Sequence, residues 1–196
     1  MRKVGLFGGT FDPIHFGHLN LALQISEKNC LDEVFFCPAS QSPFKKEKSY
    51  ASPQERLEMV RLSIEGIPRF HILDHEIKKE GISYTVETLR FLQSTLNDPT
   101  QLYLLLSQDA LPSFHKWKSA KEIVQLAQPL VGTRKGFSHK ITPSPVSASL
   151  RKGLTTTTQM EISSTEIRDR LKRGLYCGHL VPAKVLNYLA NRNLYL

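Results

Sequence analysis

The chain has 196 residues, of which 40% are hydrophobic and 22% are charged, as is usual for a soluble globular protein. No apolar run approaches the roughly 18 residues that a membrane-spanning helix needs, which excludes a membrane span. The three cysteines, Cys30, Cys37 and Cys177, form no C-x-x-C pair. We therefore expect reduced thiols and a cytoplasmic protein.

The excess positive charge lies in the second half of the chain. The net charge is +8, and residues 1–98 carry 12 Lys and Arg against 13 Asp and Glu, whereas residues 99–196 carry 14 against 5. This asymmetry favours a polyanionic partner: a nucleic acid, an acidic membrane surface or a small phosphorylated substrate. A solvated basic face without a ligand gives the same pattern, so charge alone leaves these alternatives open.

Hydrophobic periodicity predicts strands that alternate with helices along most of the chain. Apolar, β-branched and aromatic runs predict strands over 2–7, 33–38, 70–73, 101–106 and 129–133. Helical spacing predicts helices over 17–28, 53–65, 85–96 and 120–127, and closing helices at about 163–192, namely over 163–173 and 182–191.

The second helix has a strong start signal, because Ser52 precedes a proline and Glu55 follows three residues later. We expect Leu57, Val60 and Ile64 to face inward from this helix. The run 101–106 is too short for a typical helix and too apolar for one exposed side, so it fits a parallel strand covered on both faces.

The alternation predicts the α/β class, with a doubly wound, Rossmann-like parallel sheet and helices on both faces. Ligands of such sheets bind outside the carboxyl ends of the strands. We see no linker and expect one domain over 1–196. Residues 136–160 are rich in Ser, Thr and Pro, and we expect a long loop or an insertion there.

The most informative stretch is GGTFDPIHFGH over 8–18, between the first strand and the first helix. Gly8 and Gly9 permit close approach of the backbone to a ligand, and a helix N-terminus is a ready anion site. His15 and His18 lie three residues apart at the helix start, so both can point at one anion. The stretch matches neither the Walker P-loop nor the G-x-G-x-x-G fingerprint.

A second stretch, ISSTEIR, begins at Ile162. Ser163 and Glu166 satisfy the spacing of a capping box, which predicts a well-capped helix. Three consecutive hydroxyls at a helix N-terminus, with Arg168 about one turn later, also suit a phosphate.

Together the two stretches resemble the nucleotidyltransferase superfamily with HxGH and ISSTxIR motifs, and within it the bacterial nicotinate-mononucleotide adenylyltransferases. The resemblance covers nearly the whole chain. Further matching elements are Pro43-Phe44-Lys45, ERLEM at 55–59, SYT at 83–85, TLR at 88–90, Asp109, Trp117, Arg134 and Leu194-Tyr195. The SYT and Trp elements separate this family from the phosphopantetheine adenylyltransferases. The chain departs from the family pattern at Phe44, Ser107 and Lys135, where His, Gly and Pro are usual.

The resemblance implies that ATP and nicotinate mononucleotide react to deamido-NAD and pyrophosphate. It places His15, His18, Lys45 and Arg168 in catalysis. It implies contacts with ATP from Gly8, Gly9, Thr10, Phe11, His15, His18, Asp109, Arg134, Ile162, Ser163, Ser164, Thr165 and Arg168. It implies contacts with nicotinate mononucleotide from Thr10, Lys45, Tyr84, Thr85 and Trp117. The sequence shows no carboxylate cage for a metal, so we expect Mg²⁺ to be carried by the ATP phosphates.

Several alternatives stay open. Asp109 fits a ribose hydroxyl, a metal-bound water or a loop cap, and Arg134 fits adenine packing or the surface. Trp117 fits core packing as well as stacking on the pyridine ring. The chain could instead be a sister enzyme acting on nicotinamide mononucleotide or phosphopantetheine, or a nucleic-acid-binding module. For the last we find no RNP, helix-turn-helix or zinc pattern. We therefore expect neither a nucleic-acid nor a membrane partner, and leave a homo-oligomer open.

Overall fold

A computed structural model describes residues 1–44, 49–96, 98–134 and 141–196. Its strands are β1 (Arg2–Gly9), β2 (Glu33–Pro38), β3 (Phe70–Ile72), β4 (Thr100–Ser107), β5 (Ala127–Thr133) and β6 (Leu154–Thr156). Its helices are α1 (Phe16–Lys28), α2 (Pro53–Ile64), α3 (His75–Lys79), α4 (Thr85–Thr95), α5 (Ala120–Leu126), α6 (Ser147–Lys152), α7 (Ser164–Lys172) and α8 (Ala183–Asn191).

The six strands form one sheet in the order β3-β2-β1-β4-β5-β6. The strand order reverses between β1 and β4, which pair in parallel with Leu6 opposite Leu104. Leu104, Leu105 and Leu106 are all at most 5% exposed. Successive side chains of a strand point to opposite faces, so β4 is covered on both faces as expected. The α/β class and the doubly wound sheet are confirmed, and the carboxyl ends of β1 and β4 mark where ligands bind in such folds.

The chain divides into two compact units. The first comprises residues 1–8, 21–35 and 84–159, and it contains β4, β5, α4 and α5. The second comprises residues 9–20, 36–83 and 160–196, and it contains β3, α2, α7 and α8. A single domain over the whole chain stays a prediction.

The expectation of a long loop or an insertion over 136–160 is wrong for its second part. Helix α6 and strand β6 lie there, and β6 pairs in parallel with β5 through Leu154 and Val131. Between them, a Cβ at Gly153 would lie 1.7 Å from the carbonyl oxygen of Pro129, so only glycine fits. A strand of three residues is too short to show alternation, which is why the polar composition misled the prediction.

The predicted start of α2 is confirmed. The Glu55 N–H donates to the Ser52 hydroxyl at 3.2 Å, and the Ser52 N–H donates to the Glu55 carboxylate at 2.7 Å. Val60 and Ile64 face inward as expected, whereas Leu57 is half-buried. Arg56 is fully buried on the same stripe as Val60 and Ile64.

The cysteines are all free: Cys37 and Cys177 are buried, and Cys30 is exposed. In the ranges that the structure describes, no helix combines the length and the apolar character that crossing a membrane requires.

Candidate active site

The loop after β1 is shaped by Phe11, whose backbone is left-handed with φ of 52°. Its ring is buried, and it lies edge-on to the His18 ring at 5.2 Å and 6.2 Å from the Phe36 ring. A Cβ at Gly9 would lie 2.8 Å from the Phe11 ring. Gly9 is therefore required by packing inside the loop. The Phe11 side chain belongs to the core, which leaves the backbone of Phe11 for the contact with ATP that the resemblance implies.

His15 and His18 form a stacked pair at the N-terminus of α1. Their ring centroids lie 3.7 Å apart with an interplanar angle of 25°. The His15 N–H donates to His18 Nδ1 at 3.3 Å. A nitrogen that accepts a hydrogen bond carries no proton, so the neutral His18 ring carries its proton on Nε2.

Burial makes both histidines weak bases. It lowers the pKa of His15 to about 4. Burial, together with the charge of the adjacent His15, lowers the pKa of His18 well below the usual range. His15 is 5% exposed, and its Nδ1 is buried without a hydrogen-bond partner among the described residues. Both rings are thus neutral at pH 7, and each can donate one hydrogen bond without burying a charge.

Helix α7 is attached to the same loop by side-chain hydrogen bonds. The Ser164 hydroxyl donates to the carbonyl oxygen of Pro13 at 2.9 Å, and Arg168 Nη1 donates to the carbonyl oxygen of Asp12 at 2.6 Å. Ser163 caps the helix by accepting from the Glu166 N–H at 3.1 Å. The structure therefore brings the two sequence motifs together, although they are about 150 residues apart in the chain.

Two cationic side chains of α7 lie over the ring of an exposed tyrosine, Tyr50. Arg168 lies over the Tyr50 ring at 4.6 Å from the centroid, and Lys172 lies at 4.8 Å. Arg168 Nη2 also donates to the Thr165 hydroxyl at 3.2 Å. Two helix N-termini and two cations beside one loop create a positive potential, which favours phosphate groups.

Sequence reasoning missed Arg56 as a residue that shapes the loop. Its guanidinium donates to the carbonyl oxygens of Thr10 at 2.7 Å, Ser40 at 3.0 Å and Ala51 at 3.3 Å. The spacing 56, 60, 64 places an arginine on a buried helical stripe, and that was the available signal. A buried cation at such a position is paired with specific acceptors.

Asp12 and Tyr195 lie in sequence elements that match the family, but sequence reasoning gave neither of them a role. The Asp12 carboxylate is 2% exposed and accepts three hydrogen bonds. These come from the Tyr50 N–H at 3.0 Å, the Ala51 N–H at 3.1 Å and the Tyr195 hydroxyl at 2.7 Å. No local pattern predicts a contact across 183 residues.

The residues expected at the pyridine ring lie in the first compact unit. Thr85 is the first residue of α4, and Tyr84 precedes it. Lys118 lies over the Tyr84 ring at 3.9 Å from the centroid and forms an ion pair with Glu87 at 2.8 Å. Trp117 is half-buried, and its ring lies 5.0 Å from the ring of Phe114. Trp117 therefore packs on the core with one part and presents the other to solvent.

Other predicted residues are placed as follows. Asp109 is exposed in a one-turn 3-10 helix directly after β4. Arg134 is exposed after β5; its N–H donates to the Gln108 side chain at 3.4 Å. Gly8 is exposed near the end of β1, and Ile162 is half-buried before α7. Lys45 lies outside the described residues.

The described acidic side chains form no ready-made cluster of metal ligands. Within the described ranges, no three His, Cys, Asp or Glu side chains are grouped so that they could hold one. The Asp12 carboxylate, which lies in the loop itself, already accepts three hydrogen bonds.

Comparisons with known proteins agree with this geometry. The family described as cytidylyltransferase-like matches residues 6–170. Proteins named probable nicotinate-nucleotide adenylyltransferase are similar over nearly the whole chain. One from Dehalococcoides mccartyi is 38% identical over 98% of this chain and 97% of its own. Another, from Dictyoglomus thermophilum, is 39% identical over 99% of this chain and 100% of its own.

Solved structures show the same fold. The Plasmodium falciparum nicotinic acid mononucleotide adenylyltransferase complexed with NaAD aligns with a TM-score of 0.78 and 21% identity, over 100% of this chain and 98% of its own. The same enzyme complexed with APC aligns with a TM-score of 0.75 and 20% identity, over 100% of this chain and 98% of its own. The matched family and the full-length relatives lead to one conclusion: the chain belongs to the cytidylyltransferase-like family and, within it, to the nicotinate-nucleotide adenylyltransferases.

Proposed function

We propose that the protein transfers the adenylyl group of ATP to nicotinate mononucleotide, giving deamido-NAD and pyrophosphate. The observation that carries this proposal is the neutral histidine pair at the N-terminus of α1, with α7 attached to the same loop through Ser164 and Arg168. Family membership supports the choice of substrates. The free thiols support a cytoplasmic location.

The reaction makes little demand on acid–base chemistry. A phosphate oxygen of the mononucleotide attacks the α-phosphorus of ATP in line, a new P–O bond forms, and the bond to the β-phosphate oxygen breaks. The attacking phosphate is already ionised at neutral pH. Catalysis therefore depends on positioning the two substrates and on stabilising the charge that develops on the α-phosphate.

His18 suits that charge best. Its Nδ1 is occupied by the His15 N–H, so we assign the Nε2–H as the donor to an α-phosphate oxygen. Because the ring is neutral, it can donate this hydrogen bond without a positive charge having to be buried on the ring. His15, Lys45 and Arg168 complete the proposed catalytic set. The other contacts with ATP stay as predicted from the resemblance.

Recognition of the acceptor depends on its ring carboxylate. A carboxylate only accepts hydrogen bonds, whereas a carboxamide of nearly the same shape also donates them. We propose that the Thr85 hydroxyl and nearby backbone N–H groups bind the carboxylate, while Tyr84 and Trp117 contact the ring. Thr10 and Lys45 would contact the rest of the mononucleotide.

We propose that Mg²⁺ enters as part of its complex with ATP. The acidic groups of the described residues do not form a cage for it, so the phosphates would supply its ligands. The ion would neutralise charge on the leaving pyrophosphate.

The test is pyrophosphate release with Mg–ATP and each of three acceptors: nicotinate mononucleotide, nicotinamide mononucleotide and phosphopantetheine. We expect kcat/KM for nicotinate mononucleotide to exceed that for nicotinamide mononucleotide by about 10²–10³, because two mismatched buried hydrogen bonds cost roughly 1–3 kcal/mol each. Equal use of both pyridine substrates would show a dual-specificity enzyme. Preference for phosphopantetheine would replace the proposed function with that of the sister enzyme.

A further inference from the structure

The loop that ends in the histidine pair has its carbonyl oxygens fixed by side chains from other elements. Arg56 donates to the carbonyl of Thr10, Arg168 to that of Asp12, and Ser164 to that of Pro13. Carbonyl oxygens carry partial negative charge and would repel a phosphate. Donors on these three oxygens offset that charge and hold each peptide in one orientation.

Asp12 is the centre of this arrangement because both its side chain and its carbonyl oxygen are held. The carbonyl accepts from Arg168, a residue of the second sequence motif, at 2.6 Å. The carboxylate accepts from two backbone N–H groups and from Tyr195, whose hydroxyl gives the shortest of the three bonds at 2.7 Å. The Tyr195 side chain is buried with its residue 7% exposed.

We propose that Tyr195 is a positioning residue for the adenylyl transfer proposed above, and the proposal rests on that function. Its hydroxyl fixes the Asp12 carboxylate, which keeps the carbonyl of Asp12 on Arg168 and keeps His15 and His18 in place. Tyr195 itself does not contact the reacting atoms in this proposal.

The physical reason is competition for Arg168. Without the Tyr195 hydroxyl, the buried Asp12 carboxylate loses its shortest hydrogen bond and remains desolvated, which is unfavourable for a charged group. One donor to the same residue is the Arg168 guanidinium, which already donates to the carbonyl oxygen of Asp12. Movement of Arg168 toward the carboxylate would displace both the guanidinium and the loop from the arrangement that suits the phosphates.

The test compares Tyr195→Phe with Tyr188→Phe in the full chain. Tyr188 is a half-buried tyrosine on α8 that lies beside Arg192, so it controls for loss of a phenolic hydroxyl near the same end of the chain. With Mg–ATP and nicotinate mononucleotide, we expect kcat of Tyr195→Phe to fall about 10- to 100-fold. We expect KM for both substrates to change less than about threefold, because the loss affects charge stabilisation in the transition state. Tyr188→Phe should match the wild type.

Assays at temperatures well below the thermal unfolding midpoint of each variant measure kcat of the folded enzyme. They therefore distinguish a positioning role of Tyr195 from a role in stability alone. A merely structural role would lower the midpoint of Tyr195→Phe and leave kcat of the folded enzyme unchanged, which would overturn the proposal. A loss confined to KM would overturn it as well.

A double-mutant cycle with Asp12→Asn tests the route of the effect. If Tyr195 acts through Asp12, adding Tyr195→Phe to Asp12→Asn changes kcat less than twofold, whereas additive losses would contradict the proposal. If Asp12→Asn does not fold, the comparison of kcat with the unfolding midpoint in Tyr195→Phe decides alone. A wild type that used another acceptor would refute the proposed function only, and the same comparison with that acceptor would still test Tyr195.

Discussion

The loop after β1 and the segment around Tyr84 and Trp117 are stabilised in different ways. In and around the loop, buried polar side chains bond to main-chain atoms: Asp12, in the loop, is 2% exposed, and Arg56, on α2, is fully buried. Around Tyr84 and Trp117, aromatic rings pack against a neighbouring ring or cation, and the charged partner Lys118 is exposed.

This difference follows from what each region has to do. A buried hydrogen-bond network permits few arrangements, because any other leaves a buried polar group unpaired. Ring packing tolerates small shifts at little energy. The loop is suited to chemistry that requires fixed positions, whereas the segment around Tyr84 and Trp117 is suited to recognition that can adapt. The comparison predicts large, specific effects in the first region and smaller ones in the second.

The largest effect is expected from Arg56→Met. It removes the Arg56 donor from the carbonyl oxygens of Thr10, Ser40 and Ala51 and the cation beside Asp12. Breaking a buried charged arrangement typically destabilises a protein by about 3–5 kcal/mol. Urea denaturation measures the loss in the free energy of unfolding. Arg61→Met is the control, because Arg61 lies on the same helix but pairs with Glu58 at the surface, and we expect little change. An equally small effect at Arg56 would remove the distinction between the two regions.

Next in size is the effect of His18→Ala on turnover. Removal of one donor to a developing charge typically lowers kcat about 10²–10³-fold, and we expect the fold to persist, as circular dichroism would show. His179→Ala, which changes a histidine stacked on Tyr176, should retain wild-type turnover. Near-normal kcat in His18→Ala would refute the role assigned to this ring.

A smaller effect concerns the pH dependence of stability. His15 has a pKa of about 4 in the folded chain and about 6.5 in the unfolded chain. Below pH 6.5 the unfolded state therefore binds a proton that the folded state does not. The stabilisation is complete above pH 6.5 and is lost progressively as the pH falls to about 4, by up to about 3 kcal/mol. Urea denaturation at pH 7 and at pH 4.5 measures the loss in the free energy of unfolding between the two pH values. This loss should be smaller for His15→Asn than for the wild type, and equal losses would contradict the pKa assigned to His15.

The smallest effect is expected from Trp117→Ala. Loss of ring stacking should lower kcat/KM about tenfold for nicotinate and nicotinamide mononucleotides alike, so the preference between them should stay unchanged. Lys116→Ala, at the exposed neighbouring position, is the control and should behave as the wild type. A changed preference would show that the indole also reads the carboxylate.

The sequence was sufficient for the elements with strong periodicity. The apolar run around Leu104 and the capping box at Ser52 depend on local chemistry, and both lie in the structure as predicted. By contrast, α3 and β6 have five and three residues. Such short elements complete barely one turn or one alternation, so no period can be recognised in them.

In the candidate site, too, only residues that form a local sequence pattern could be predicted. The histidine pair could be recognised because its members are three residues apart and follow a glycine-rich turn. The supports of the loop could not, because Arg56 and Tyr195 reach it only through the tertiary fold. Propensity favours arginine at the surface, and only its place on a stripe with Val60 and Ile64 indicated otherwise.

The distance along the chain between Asp12 and Tyr195 has a consequence for biosynthesis. Ribosomes add about 5–20 residues per second, so the 183 residues that separate the two take roughly 10–40 seconds to synthesise. During that interval the Asp12 carboxylate has emerged without the hydroxyl that completes its environment, and Arg168 is also still to come. Until Tyr195 and Arg168 have been synthesised and have folded against it, the loop therefore lacks two of the donors that hold Asp12.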